Sequence, residues 1–189
     1  VAFVERVAAT GDRSGATTVP AAVLFEIGRK LPYGIHIEFD TPQSDAPLAL
    51  KAGRYATSLN VLPVDDFPAM VAGDLPHRFN LPAGTLKGLI DRTKFAISTE
   101  ETRYYLNGIY LHVSEGPAGP MLRAVATDGH RLARVETELP EGALGMPGVI
   151  IPRKTVAELR KLLDEGAADL EISLSDTRIQ FQAGPVLLT

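Results

Sequence analysis

Three stretches of this chain open with an apolar residue and a proline and then carry apolar residues at helical spacing. They begin at Val19-Pro20, Leu81-Pro82 and Ile151-Pro152. Proline suits the first turn of a helix, because its φ is preset and its missing N–H would have no partner there anyway. Behind each proline the apolar positions fall three or four apart: Val23, Leu24, Ile27 and Leu31; Leu86, Leu89 and Ile90; Val156, Leu159, Leu162 and Leu163. That period gathers them on one face and predicts helices over 20–31, 82–97 and 152–165.

Past each helix the period drops to two. Ile35 to Phe39, Tyr105 to Val113, Leu122 to Ala126 and Leu170 to Leu174 alternate as half-buried strands do. Turn signals separate the runs: Ala52-Gly53, Glu115-Gly116-Pro117, Asp128-Gly129 and Ala183-Gly184. The unit is one helix followed by a few antiparallel strands, and its helix starts lie 62 and 70 residues apart. One helix on one short sheet buries too little to stand alone. The expected fold class is therefore α+β, with two units packed into a domain whose helices share one face of the sheets. The second and third units make one nearly complete domain. The first is expected to have its partner upstream of Val1. The Pro-, Gly- and Asp-rich stretch from Val64 to Pro76 reads as the linker. Both ends read as interrupted strands, Val1 to Val7 and Pro185 to Leu188, so a fragment of a longer chain is expected.

Composition narrows the function classes. A hydrophobic content of 45% with 22% charge in 189 residues fits a soluble globular protein. The absence of cysteine excludes disulfides and thiolate metal sites. No apolar run approaches the length of about 18 residues that a membrane span needs, and a cytoplasmic location is expected. The formal net charge of -4 advertises no nucleic-acid binding, but it hides a segregation. The three helices carry a net +4, through Arg29, Lys30, Lys87, Arg92, Lys94, Arg153, Lys154, Arg160 and Lys161 against five acids; the remainder carries −8. A basic helical face backed by acidic sheets can hold a polyanion through its phosphates without reading sequence. Lysines and arginines that merely solvate a helix would give the same count.

Two short segments carry candidate chemistry. Arg103-Tyr104-Tyr105-Leu106-Asn107-Gly108 reads as the opening of a strand, which would turn its two tyrosines to opposite faces. One could pack inside while the other, beside Arg103, meets a base or backbone; two half-buried sheet tyrosines fit the pattern as well. Thr127-Asp128-Gly129-His130-Arg131-Leu132 lies between two strands, and Asp-Gly suits a tight turn. An acid–base site of Asp128, His130 and Arg131 is conceivable, but no nucleophile motif accompanies it. His36, His77 and His112 show no metal-ligand spacing.

These two segments, with Ile151-Pro152-Arg153-Lys154 and Gly15-Ala16-Thr17-Thr18-Val19-Pro20, resemble the bacterial DNA sliding clamp family, the beta subunit of DNA polymerase III. The order and spacing fit across essentially the whole chain, and the pairing of Arg103–Gly108 with Ala126-Thr127-Asp128-Gly129-His130-Arg131-Leu132-Ala133 is highly specific. The resemblance implies the DNA clamp fold, in which each subunit has three similar domains of two repeat units each. It assigns residues 1–75 to the C-terminal half of domain one and 76–189 to a nearly complete domain two, with domain three absent. Full-length subunits would pair head to tail into a homodimeric ring around double-stranded DNA, helices inward.

The same resemblance implies the sites. A hydrophobic cleft would take linear peptides of polymerase subunits, the clamp loader and repair proteins at Leu106, Thr127, Gly129, His130, Arg131 and Leu132. Non-sequence-specific DNA contact would come from Arg29, Lys87, Arg103, Tyr104, Tyr105, Arg153 and Lys154, with Arg160 and Lys161 as further candidates. No catalytic residue, metal or cofactor is implied, and the subunit would be a non-catalytic processivity factor. Ala22 and Glu100 depart from the pattern, standing where a basic and a neutral polar residue are expected. A scaffold of helix-plus-sheet repeats that does not bind DNA is the alternative.

Overall fold

Each anticipated helix forms, starting one residue after its proline. The computed structural model describes all residues except 42–45, 69–72, 101, 118, 165 and 167–168. In chain order the elements are β1 (Phe3–Glu5), α1 (Ala21–Lys30), β2 (Glu38–Asp40), β3 (Leu48–Ala52), β4 (Tyr55–Leu59), β5 (His77–Pro82), α2 (Ala83–Thr93), β6 (Gly108–Gly116), β7 (Gly119–Thr127), β8 (Leu132–Glu138), β9 (Val149–Pro152), α3 (Arg153–Asp164), β10 (Asp169–Leu174), β11 (Ile179–Ala183) and β12 (Val186–Leu188). The chain divides into two units, one of Ala9–Ala69 and one of Val1–Ala8 with Met70–Thr189.

The smaller unit is one repeat. Its antiparallel sheet has the order β2-β3-β4, and α1 lies against it. Alternation along β3 buries Leu48, Leu50 and Ala52, and Leu59 of β4 joins them. Leu24, Ile27 and Leu31 pack on that cluster, yet no residue of α1 is fully buried. A single helix on three short strands shields only part of its apolar stripe, as the repeat arithmetic anticipates. The strand expected at 35–39 is cut to Glu38–Asp40. The Ile35 N–H bonds back to the Pro32 carbonyl, so the chain is still turning there, although Ile35 and Ile37 do pack on the core.

Two repeats make the larger unit. Its sheets run β8-β7-β6-β9 and β1-β12-β11-β10-β5, all pairings antiparallel. Helices α2 and α3 bury Leu86, Leu89 and Ile90, and Val156, Leu159, Leu162 and Leu163, the residues their period selects. They close over one core with Leu170, Ile172, Leu174 and Phe181, each fully buried. Burying such a side chain stabilises by about 1.5–3 kcal/mol, so this stripe dominates the unit's stability.

A further sequence expectation is corrected. The strand expected from Tyr105 starts at Gly108, and Tyr104–Leu106 form a single 3-10 turn. There the N–H groups of Leu106 and Asn107 bond to the carbonyls of Arg103 and Tyr104, local bonds that no strand makes. Strand β1 pairs with β12, Phe3 opposite Leu188 and Glu5 opposite Val186. In the expected linker, Val64–Asp66 form a 3-10 turn, and 69–72 lie outside the described residues.

Candidate peptide and nucleic-acid interfaces

The Thr127–Leu132 turn joins β7 to β8 and is locked by its own side chains. Thr127 Oγ1 donates to the Arg131 carbonyl at 2.7 Å and accepts the Gly129 N–H at 3.1 Å. Asp128 Oδ1 accepts the N–H groups of His130 and Arg131, both at 3.0 Å, and its Oδ2 accepts Arg131 Nε at 2.9 Å. Those two backbone N–H groups, Arg131's first, and the Arg131 guanidinium hold the Asp128 carboxyl at about 2. The carboxylate is thus committed to the turn, which weighs against its use as an acid or base. Gly129 has φ +91°, a conformation an L side chain rarely adopts. His130, Arg131 and Leu132 all point outward, and Leu132 is 64% exposed.

The fold brings the second motif to this turn. A guanidinium nitrogen of Arg103, Nη1, lies 3.2 Å from the place a Cβ on Gly129 would occupy, and Arg103 Nε pairs with Glu100 at 3.0 Å. Arg103, expected among the DNA contacts, therefore sits over the Thr127–Leu132 turn. Leu106 is half-buried nearby in the sequence motif, with its carbonyl accepting the Ser98 N–H. Phe95, just past α2, lies under the Arg131 guanidinium at 5.6 Å from the ring centre. Sequence reasoning missed Phe95, since nothing local distinguishes it from any apolar residue at a helix end.

Tyr104 and Tyr105 are both exposed, and their rings meet edge to face with centres 5.6 Å apart. Neither is a core tyrosine. The turn that presents them is tied to α3, because the Arg153 N–H bonds to the Asn107 carbonyl at 2.9 Å. Gly108 makes that approach possible: a Cβ there would stand 2.4 Å from the Ile151 carbonyl oxygen. Between turn and helix runs an open groove of about 750 Å³ lined by Thr99, Tyr104, Asn107, Ile150, Arg153 and Lys154, among others. Arg153 and Lys154 are exposed and make no ion pair among the described residues. A cationic groove with an aromatic wall at a helix start can take phosphate and stack on sugar or base.

The other expected DNA-contacting cations are paired. Lys87 Nζ lies 2.8 Å from Asp164, and Arg29 lies 2.9 Å from Glu26. Arg160 is a tie between helices: its Nε bonds Asp91 of α2 at 2.8 Å, and its Nη1 pairs with Asp164. Lys94, in the 3-10 turn just past α2, holds Asp91 at 2.7 Å, and Lys161 pairs with Glu158 at 3.0 Å. The Arg160 bond holds both carboxyls below their ordinary range, Asp164 at about 2 with help from Lys87. Among the described residues, no group of three or more His, Asp or Glu is placed to hold a metal ion. Among the described residues, no helix is long and apolar enough to cross a membrane.

Comparison with known proteins follows this geometry. The family model for the DNA polymerase III beta subunit N-terminal domain matches residues 1–71, and that for its central domain matches 80–189. The chain is 47% identical over 178 residues to the beta sliding clamp of Caulobacter vibrioides, covering 94% of this chain and 48% of that protein. It is 38% identical over 175 residues to the beta sliding clamp of Escherichia coli K12, covering 93% and 46%. Among solved structures it resembles the Caulobacter crescentus beta sliding clamp with a TM-score of 0.94 at 45% identity, covering 98% of this chain and 49% of that one. A Bartonella birtlesii sliding clamp bound to griselimycin gives a TM-score of 0.92 at 49% identity, covering 98% and 49%. The chain spans about half the length of the curated relatives it matches. By fold, motifs and both domain matches, this chain belongs to the DNA polymerase III beta subunit family, the bacterial sliding clamps.

Proposed function

We propose that this chain serves as part of a DNA sliding clamp, a non-catalytic ring that keeps a polymerase on duplex DNA. The observation that carries the reading is the β1–β12 pairing. Strand β1 lies in the stretch matching the N-terminal domain, and β12 in the stretch matching the central domain. The repeat thus continues its sheet from one domain into the next. By order after their helices, β4 corresponds to β12, and by position before a helix start, β8 corresponds to β1. Among the described residues, β4 and β8 each end their sheets with no strand paired on the outer side. The same pairing, repeated at those edges, would extend the array and close a homodimeric ring when the subunit is full length.

Within that ring, duplex DNA of any sequence passes the groove of Tyr104, Arg153 and Lys154, with Tyr105 and Arg29 as further contacts. Encirclement supplies retention, so the contacts can be few and screened by salt. Partner proteins dock linear peptides on Leu106, Thr127, Gly129, His130, Arg131 and Leu132. Apolar anchors would fill the space beside the two leucines, and polar groups would meet the rim. Nothing in this mechanism calls for a cofactor, and it operates in the cytoplasm.

Topological retention tests the reading. The full-length subunit, loaded on nicked circular DNA, is expected to co-elute with it in gel filtration and to be lost when the circle is cut. Equal loss from circular and linear DNA would favour a scaffold that does not encircle DNA.

A further inference from the structure

Five charged side chains form one network across α2, the 3-10 turn that follows it, and α3: Lys87, Asp91, Lys94, Arg160 and Asp164. Lys87 and Lys94 are each bonded to one carboxylate, and Arg160 to both. Arg160 has only 20% of its side chain exposed, whereas Lys87 and Lys94 are about twice as accessible, at 41% and 45%. The network therefore faces solvent along α2 and α3, and of the two α3 starts in the Arg153–Lys154 groove. Three cations are held by two acids, while Arg153 and Lys154 stay unpaired among the described residues.

We propose that Asp91 and Asp164 limit the grip of this helix pair on DNA by holding Lys87, Lys94 and Arg160 in ion pairs, so that phosphate is met mainly by Arg153 and Lys154. This rests on the sliding-clamp reading and deepens it. A ring that slides needs a shallow energy profile along the duplex. A cation already paired with a carboxylate releases few DNA counterions, because a phosphate must first displace the acid. The two aspartates thus act as affinity-setting residues in a surface whose composition would otherwise predict a tighter hold.

The salt dependence of binding tests it. Affinity of the chain for a fluorescent 30-base-pair duplex would be measured by anisotropy over a series of salt concentrations. Asp164→Asn is expected to steepen the slope of log K against log salt by about 0.9 for each cation released. Asp164→Glu, which keeps the pair, is expected to retain the wild-type slope. Asp176→Asn, at the β10–β11 turn, makes the same change in net charge and is expected to leave the slope alone. Adding Lys87→Gln to Asp164→Asn is expected to return most of the gain. Asp91→Asn supplies an independent variant with the same expectation, should Asp164→Asn not fold. If the wild type binds and the helix variants behave like Asp176→Asn, the inference fails and the clamp reading stands. If neither wild type nor variants bind at the lowest salt, the inference falls, and the clamp reading is decided separately by retention of the full-length subunit on circular DNA.

Discussion

The Arg131 guanidinium rests 5.6 Å from the centre of the Phe95 ring while its Nε donates to Asp128 at 2.9 Å. The side chain is held from below by an aromatic face and from the side by a carboxylate, so its remaining donors have a defined direction. Phe95 is 54% exposed and contributes little to the core, which makes the contact separable from folding. A double-mutant cycle of Phe95→Ala and Arg131→Ala, read from urea midpoints, should give a coupling of about 0.5–1 kcal/mol. Phe95→Tyr should preserve it.

Acid loosens the same turn. Asp128 titrates at about 2 against an ordinary 3.8, so the folded turn prefers the ionised form. Its contribution is complete above the unfolded value and is lost as pH falls through the folded one. The His130 and Arg131 amide resonances should therefore move together between about pH 4 and pH 2. In Asp128→Ala that movement should vanish.

Gly108 joins the tyrosine turn to the start of α3, and its substitution should act at a distance. A methyl there meets the Ile151 carbonyl at 2.4 Å and Ile150 Cγ2 at 2.8 Å. The Gly108↔Pro152 pairing must open to admit it. Gly108→Ala is expected to destabilise by about 1–3 kcal/mol in urea unfolding. It should also speed hydrogen exchange at the Arg153 amide, whose bond to Asn107 depends on that approach.

Leu159 is fully buried on α3 beneath the charged network. Leu159→Ala should cost about 2–5 kcal/mol, because it leaves a cavity in a fully buried part of the core. The loss should appear as a lower urea midpoint with an unchanged slope.

Charge reversal separates the two interfaces. Arg153→Glu with Lys154→Glu should weaken duplex binding and flatten its salt dependence by about two units. Binding of a linear peptide at the proposed Leu106–Leu132 surface should be unaffected in a full-length subunit. Leu132→Asp should do the reverse.

Local physics made much of this protein legible in its sequence. Pro20, Pro82 and Pro152 announce the helices, because a fixed φ and a missing N–H favour one position in a helix and disfavour most others. The spacing of Leu86, Leu89 and Ile90, and of Val156, Leu159 and Leu163, names the buried faces, since the helical period alone decides which side chains can share a core. The motifs around Tyr104 and His130 identified the family. The remainder depended on residues far apart in the chain. Whether Tyr104 and Tyr105 lie on a strand or a 3-10 turn was settled by the bonds of Leu106 to Ser98 and Asn107 to Arg153, which no local pattern encodes. Arg160 looked like one more cation available to phosphate until the fold set it against Asp91, 69 residues away. That Arg103 would lie against Gly129, 26 residues on, was likewise decided by the fold. Backbone preference and burial act within a few residues and can be read from one chain, whereas a charge has no role until packing decides which opposite charge it meets.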